Sequence, residues 1–200
     1  LTNQLGQLPI GKEASHSHPT RKPTNYHGGQ QAHIEAADSG LTELLLAFKA
    51  PGRLQTREWQ QMNLLHSLLR DSLLPSLADK LRPNQPIALR PFLAGYSDAS
   101  LLGVRVTVPS AASNKLNSIL QSLLEHLRSC PLENPEQLEQ AKDALLLHRA
   151  DVLSRRQAGC LELAQQLATT GRLEDLSALQ AALSPLQPTD LQKVFSFHFN

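Results

Sequence analysis

The stretch FLAGYSDASLLG, Phe92–Gly103, decides the fold of this chain. It contains the end of one predicted strand, 87–96, and the start of the next, 101–108. The segment that joins them, Ser97-Asp98-Ala99-Ser100, has residues that favour turns because their side chains hydrogen-bond to nearby backbone groups. The second strand alternates, with Leu102, Val104, Val106 and Val108 on one face and Gly103, Arg105 and Thr107 on the other. This pattern predicts a β-hairpin with one buried face.

Two more strands are predicted upstream of the hairpin. Residues 30–36 alternate weakly, and residues 41–49 follow after the turn-like Asp38-Ser39-Gly40. The segment 44–48 is apolar at every position, which is typical of a central strand that is covered on both faces. Ala50-Pro51-Gly52 is expected to end this strand.

The rest of the chain is predicted to be helical. A first helix, with Thr56 as its N-cap, would bury Trp59, Met62, Leu65 and Leu69, and a short helix would start near Pro75. The next helix is predicted from Leu116 to Cys130-Pro131, with an apolar stripe of Leu116, Ile119, Leu120, Leu123 and Leu127. A long helix is predicted to start at Asn134-Pro135-Glu136-Gln137 and to continue through Val152. The last three are predicted from Leu161 to Leu167, ending near Gly171; between Glu174 and Leu183; and from Thr189, with Gln192 completing a capping box, toward Phe197. Two strands, a helical segment, a β-hairpin and then a run of helices predict an α+β domain whose antiparallel or mixed sheet has helices mainly on one face.

Composition limits both the architecture and the class of function. Two hundred residues with 40% hydrophobic content suit one core, and residues 1–23 contain glycines and prolines without an apolar period. We therefore predict an extended linker or arm over 1–25 and one domain over 26–200. The 19 basic residues, against 18 acidic ones, form no basic block, so nucleic acid is not the expected partner. The apolar runs are far shorter than the roughly 20 residues needed for a membrane span.

Tyr26-His27-Gly28-Gly29, the strand ending at Ala50-Pro51-Gly52 and the Phe92–Gly103 hairpin occur in an order that resembles a known family. They are similar to the second domain of the mitochondrial processing peptidase and respiratory core-protein family, within the insulinase-like metallopeptidases. The resemblance covers about residues 26–195 and implies that family's α+β domain.

The zinc motif of active insulinase-like peptidases, H-x-x-E-H, is missing from this sequence. The nearest match, Ser122-Leu123-Leu124-Glu125-His126, has Ser in place of the first ligand, and we interpret Glu125 and His126 as solvated residues of an amphipathic helix. In the family this motif belongs to the first domain, so its absence from a second domain is expected. We predict no metal ligands.

The other candidate residues also favour structural interpretations. His16-Ser17-His18 lacks further ligands, and His27, His33, His66, His148 and His198 have no recognisable partner in the sequence. Gly28-Gly29 fits a backbone turn better than a phosphate loop, and Asp98 fits a hairpin turn better than a general base. The resemblance suggests Arg90 and Tyr96 as a loose match to residues around the substrate carbonyl of active members. We predict no catalytic and no cofactor-binding residue.

The resemblance implies a non-catalytic scaffold. Between the first helix and the next strand, residues 70–82 contain no glycine, whereas the substrate-handling subunit of the processing peptidase has a glycine-rich flexible loop there. We therefore expect a core subunit of mitochondrial ubiquinol–cytochrome c reductase, peripheral on the matrix side, that pairs with a homologous domain in an obligate hetero-oligomer and carries no cofactor. The alternatives are the non-zinc half of a processing-type zinc peptidase, or an insulinase-like scaffold in another mitochondrial assembly.

Overall fold

The structure is a computed structural model that describes residues 24, 27, 28, 32, 40–81, 86–128 and 134–199, without the side chains of 195–199. The predicted arm and the predicted strand at 30–36 lie outside the described residues, apart from Thr24 and Ala32.

The described elements form an α+β domain, as predicted. Its strands are β1 (Leu41–Pro51), β2 (Ala88–Gly95) and β3 (Ala99–Pro109). Its α-helices are α1 (Thr56–Leu68), α2 (Leu74–Leu81), α3 (Leu116–Arg128), α4 (Pro135–Ser154), α5 (Arg156–Thr170), α6 (Leu176–Leu183) and α7 (Pro188–Phe199). A π-helical turn, Leu69–Leu73, joins α1 to α2, and a 3-10 turn, Ser110–Lys115, leads into α3.

The three strands form an antiparallel sheet in the order β1-β3-β2, and β2 and β3 are the predicted hairpin. The prediction that 44–48 is a central strand covered on both faces is wrong for the described part of the chain. There β3 is central, β1 pairs with β3 alone, and Leu45 on the outer face of β1 is 56% exposed. The continuous apolar run led to this incorrect prediction because Leu45 is apolar, yet no described helix covers it.

The inner face of the sheet carries the core. Leu102, Val104, Val106 and Val108 are all buried there, as their alternation predicts. Helices α1 and α3 cover this face with two apolar stripes, made of Met62, Leu65 and Leu69, and of Ile119, Leu123 and Leu127. The helices therefore pack on one face of the sheet, which confirms the predicted layer arrangement.

Two helix ends follow the predicted chemistry. Asn134 is the N-cap of α4, where its side chain accepts a hydrogen bond from the backbone N–H of Glu136 at 2.9 Å and Pro135 is the first helical residue. Helix α5 ends at Gly171, which has a φ of 71°.

Two other predicted helix starts are wrong. Thr56 is already inside α1, and Gln55 takes the cap position without a side-chain bond to the helix. Thr189 is inside α7, which begins at Pro188, and the carboxylate of Asp190 accepts instead from the backbone N–H of Gln187 at 3.2 Å. In both cases the helix starts earlier than the threonine predicts.

The glycine-free segment between α1 and β2 is a packed helical connection in its described part, 69–81. Leu69, Leu73, Leu74 and Leu77 are buried in the core. The predicted short helix near Pro75 is α2. Within the described residues, no helix has the length and apolar character that crossing a bilayer requires.

Candidate functional site

The hairpin motif is explained by close packing across the sheet. Phe92 on β2 and Gly103 on β3 are cross-strand partners. A Cβ atom on Gly103 would lie 2.6 Å from the ring of Phe92 and 2.2 Å from the backbone oxygen of Leu46. Because both neighbouring strands press on this position, only a residue without a side chain fits. These two motif residues therefore have a structural role.

The tip of the hairpin forms a corner with the loop after β1. The backbone N–H of Arg53 donates to the oxygen of Tyr96 at 2.8 Å, and that of Leu54 donates to the oxygen of Ser97 at 2.9 Å. The Arg53 guanidinium lies over the Trp59 ring, 5.2 Å from its centre. A Cβ atom on Gly95 would lie 2.4 Å from the same ring, so Gly95 admits the indole.

Asp98 acts as a backbone acceptor at this corner. Its Oδ2 accepts a hydrogen bond from the N–H of Thr24 at 2.6 Å, and this bond lowers the pKa of the Asp98 carboxyl. This contact supports the interpretation of Asp98 as a structural residue. It also fastens the chain near residue 24 to the hairpin, 74 positions away.

The corner opens into a cleft of about 270 Å³ between the sheet edge and helices α1, α4 and α5. Arg53 and Trp59 form one wall. The other polar lining residues are Gln60, Asn63, His66, Ser67, Arg70, His148, Arg149, Glu162, Gln166, Thr170 and Glu174. Most of the lining residues are thus polar, although the cleft lies within the helical layer and also contacts apolar side chains.

Glu162 is the centre of the charge network in this cleft. Its Oε1 contacts the guanidinium of Arg149 and lies 3.7 Å from that of Arg53. The side chains of Arg53, Arg149 and Glu162 are 14%, 19% and 21% exposed. Gln166 donates to Glu162 at 3.3 Å and accepts from the N–H of Glu174 at 3.0 Å. One carboxylate therefore links α5 to α4 and to the corner.

Burial affects two groups in the cleft, the Nε of Arg53 and the imidazole of His66. The Nε of Arg53 is buried and has no hydrogen-bond partner in the described part of the chain. Burial, followed by the nearby charge of Arg70, lowers the pKa of His66, so its imidazole is held neutral. Arg70 itself is paired with Asp71, and that bond lowers the pKa of the Asp71 carboxyl.

The zinc-like sequence on α3 forms no metal site. Glu125 is exposed, and the Nε2 of His126 lies 3.2 Å from the backbone oxygen of Leu73. The expectation of a solvated His126 is therefore wrong, because the side chain is half-buried against the end of the π-helical turn. Among the described residues, no group of three or more His, Cys, Asp or Glu side chains could hold a metal ion.

Arg90 and Tyr96 are not brought together. Arg90 projects from the outer face of the sheet opposite Arg105, whereas Tyr96 lies at the tip of the hairpin and is 60% exposed. Six strand residues at about 3.3 Å each separate them by roughly 20 Å.

Of the remaining candidates, His27 is exposed, and His66 and His148 line the cleft. Gly28 has a φ of 57°, which suits the predicted turn. The described part of the chain does not include His16, His18, Gly29 and His33, or the side chain of His198.

No sequence pattern predicted the Arg53–Glu162–Arg149 network. These residues come from a loop and two helices, and their separations match no motif. A weak signal was available on α5, since Glu162, Gln166 and Thr170 recur every four residues and therefore share one side of the helix.

Comparison with known proteins defines the class of this domain. Residues 1–145 match the family described as the Peptidase M16 inactive domain, and the chain belongs to that family. This confirms the resemblance drawn from the hairpin and its flanking motifs. No curated protein sequence matches the chain.

The fold is similar to a chain in the structure of complex III2 from Candida albicans with Inz-5 bound. The TM-score is 0.67 and the sequence identity is 12%. The match covers 80% of this chain and 40% of that chain, so this chain spans less than half the length of its structural relative. At this identity, the similarity is one of fold.

Proposed function

We propose that this chain is the second-domain part of a non-catalytic core subunit of mitochondrial complex III, most similar to the second core protein. The observation that carries the proposal is the fold shared with a chain of a complex III structure, at a TM-score of 0.67, in a domain of the M16 inactive family. Its role would be to support the redox subunits from the matrix side of the inner membrane. Cofactors would belong to those neighbours.

The packing of the motif residues supports a scaffold. Phe92 and Gly103 fix the distance between two strands, and Asp98 binds a backbone N–H. Residues 69–81 are helical, and four of their leucines, Leu69, Leu73, Leu74 and Leu77, are buried in the core. A segment packed in this way is poorly suited to open and slide over a peptide substrate, because opening would expose those leucines to water.

The proposal includes an arrangement of the whole chain. Residues 1–25 would be an arm that lies on another polypeptide, and 26–200 would be the domain. Its partner would be a homologous insulinase-like domain, and the chain would occur as an obligate member of a hetero-oligomer. The outer sheet face, which no described helix covers and on which Leu41 is 52% and Leu45 56% exposed, supports such a partner.

Membership of the M16 family also favours a second candidate function. The chain would then be the non-zinc half of a processing-type peptidase, with the metal site on another domain or chain. A scaffold in a different mitochondrial assembly has the same structural requirements as the core subunit.

The test is to purify the native assembly through a tag on this chain and run it on a native gel. We expect haem-stained cytochromes b and c1 in the same band. A tagged subunit of an unrelated mitochondrial complex is the control. Zinc at about one atom per assembly, together with presequence cleavage and no cytochrome, would replace the core-subunit proposal by the peptidase one.

A further inference from the structure

Helix α5 has its polar side turned inward. Its buried residues are Gly159 and Gln166, and Glu162, Gln166 and Thr170 line the cleft. Most helices on the surface of a domain bury an apolar stripe instead. The inward side of α5 is therefore held by hydrogen bonds and ion pairs more than by apolar burial.

The opposite side of α5 is apolar and exposed. Cys160, Leu161, Ala164, Leu167 and Ala168 recur at the spacing of one helix side, and all five are exposed, Leu161 by 61% and Leu167 by 51%. We call these five residues the α5 outer stripe.

The orientation of α5 is fixed by the polar network. Turning the helix so that the outer stripe faced inward would remove Glu162 from Arg149 and Arg53, and would leave the two guanidinium groups in the helical layer without this carboxylate. It would also break the bonds of Gln166 to Glu162 and to the backbone of Glu174. The outer stripe therefore stays on the surface of this chain.

We propose that the α5 outer stripe is a docking surface for a helix of another polypeptide, one with an apolar stripe flanked by carboxylates. Ala164 lies between the two leucines and Ala168 directly follows the second, and small residues at such positions let a second helix approach to about 8–10 Å. The pattern of leucines and small residues along one side suits helix packing.

The charges around the stripe define the partner's chemistry. Exposed arginines lie at both ends of α5, Arg156 and Arg172, whereas its one acidic residue, Glu162, points inward. The next acids are Glu174, which accepts a hydrogen bond from Gln60, and Asp175, the N-cap of α6, which accepts from the backbone N–H of Ala178. Carboxylates on the partner helix would therefore face the two arginines.

The same charges disfavour two other occupants. In an antiparallel pair of α5 helices, Arg156 of each copy would face Arg172 of the other, and a parallel pair would also place like charges together. A lipid surface would be expected to select more cations and aromatic side chains than this stripe has.

Cys160 is a probe within the stripe, because its thiol is exposed in this chain. The full chain alone and the native assembly purified through it are treated with N-ethylmaleimide, and modification of Cys160 is followed by mass spectrometry. We expect Cys160 to be modified at least about tenfold more slowly in the assembly than in the chain alone. A tenfold change corresponds to a free-energy difference of about 1.4 kcal/mol. Equal rates would overturn the proposal.

A photo-crosslinking amino acid at position 161, introduced into the full chain in cells, then identifies the neighbour. We expect it to join a helical segment of another polypeptide that has an apolar stripe with acidic flanks. Crosslinks to a second copy of this chain or to lipid, or the absence of any product, would contradict the proposal.

A pair of substitutions gives an independent measurement. The double variant Leu161→Glu, Leu167→Glu should reduce incorporation of the chain into its assembly by at least about tenfold and leave its unfolding midpoint unchanged. Leu147→Glu on α4 is the matched control, since Leu147 is 71% exposed outside the stripe. Normal incorporation of the double variant would overturn the proposal, and so would an equal loss with Leu147→Glu. If the double variant unfolds, Leu161→Gln replaces it in the same comparison.

The result of the incorporation measurement does not depend on which mitochondrial assembly contains the chain.

Discussion

Helices α3 and α5 have similar lengths and each carries an apolar stripe, but the two stripes face opposite environments. Helix α3 buries Ile119, Leu123 and Leu127 completely against the sheet. Helix α5 exposes Leu161 and Leu167 and turns Glu162 and Gln166 inward. An apolar stripe thus shows which residues of a helix share a side, but not whether this chain or another one covers that side.

The largest expected difference between the two helices comes from one truncation in each. Leu123→Ala should lower the free energy of unfolding by about 2–5 kcal/mol, because it removes a fully buried side chain and leaves a cavity. Leu161→Ala should change it by no more than about 0.5 kcal/mol, since the leucine is 61% exposed. Urea unfolding of the two variants measures both values. Similar losses at the two positions would mean that α5 is also held by apolar packing.

Patterns that arise within one strand or one helix end could be interpreted from the sequence, whereas features that depend on distant parts of the chain could not. The alternation in β3 arises within one strand, and the cap at Asn134 arises within three residues, so both are readable locally. The exposure of Leu45 depends on what lies beside β1 and could not be read from the apolar run. The start of α7 was predicted incorrectly because Asp190, a residue inside the helix, accepts the hydrogen bond from the backbone N–H of Gln187. The sequence alone suggests the neighbouring Thr189 equally well as the capping residue.

The next largest effect should come from the polar side of α5. Glu162→Gln removes the carboxylate that faces Arg149 and Arg53 and should lower the free energy of unfolding by about 1–3 kcal/mol, since two partly buried cations lose their counter-charge. A double-mutant cycle with Arg149→Met measures the coupling. Gln165→Ala on the exposed side is the control. A coupling near zero would refute the view that this network orients α5.

The cleft shows why the candidate site escaped sequence analysis. Arg53, Arg149 and Glu162 lie far apart in the chain and meet only because α4 and α5 pack beside the hairpin corner. In contrast, the residues that carry the family resemblance are close in sequence, and Phe92 with Gly103 could be recognised as a motif before their contact was known.

A smaller effect distinguishes a correct helix start from an incorrect one. Asn134→Ala should cost about 1 kcal/mol, because the backbone N–H of Glu136 loses its acceptor at the start of α4. Thr189→Ala, at an exposed position inside α7, should cost no more than about 0.5 kcal/mol. Thermal unfolding compares the two. A larger loss at Thr189 would restore that residue as the cap of α7.

The smallest expected effect is a pH dependence at the cleft, where the polar network of α5 meets α1. The pKa of His66 is lowered from 6.5 in the folded chain, chiefly by burial and then by Arg70. A hydrogen bond with the backbone of Pro91 and the charge of Asp71 act in the opposite direction, and His148 adds to the lowering. Between the lowered pKa and 6.5 the unfolded chain binds more protons than the folded one, so stability falls as the pH falls through this window. His66→Gln should flatten the dependence of the unfolding midpoint on pH between about 7 and 5, whereas His27→Gln, at an exposed histidine, should leave it unchanged. An unaltered slope in His66→Gln would mean that the imidazole remains well enough solvated to be protonated in the folded chain, and the cleft would then be more open than the packing of α4 and α5 indicates.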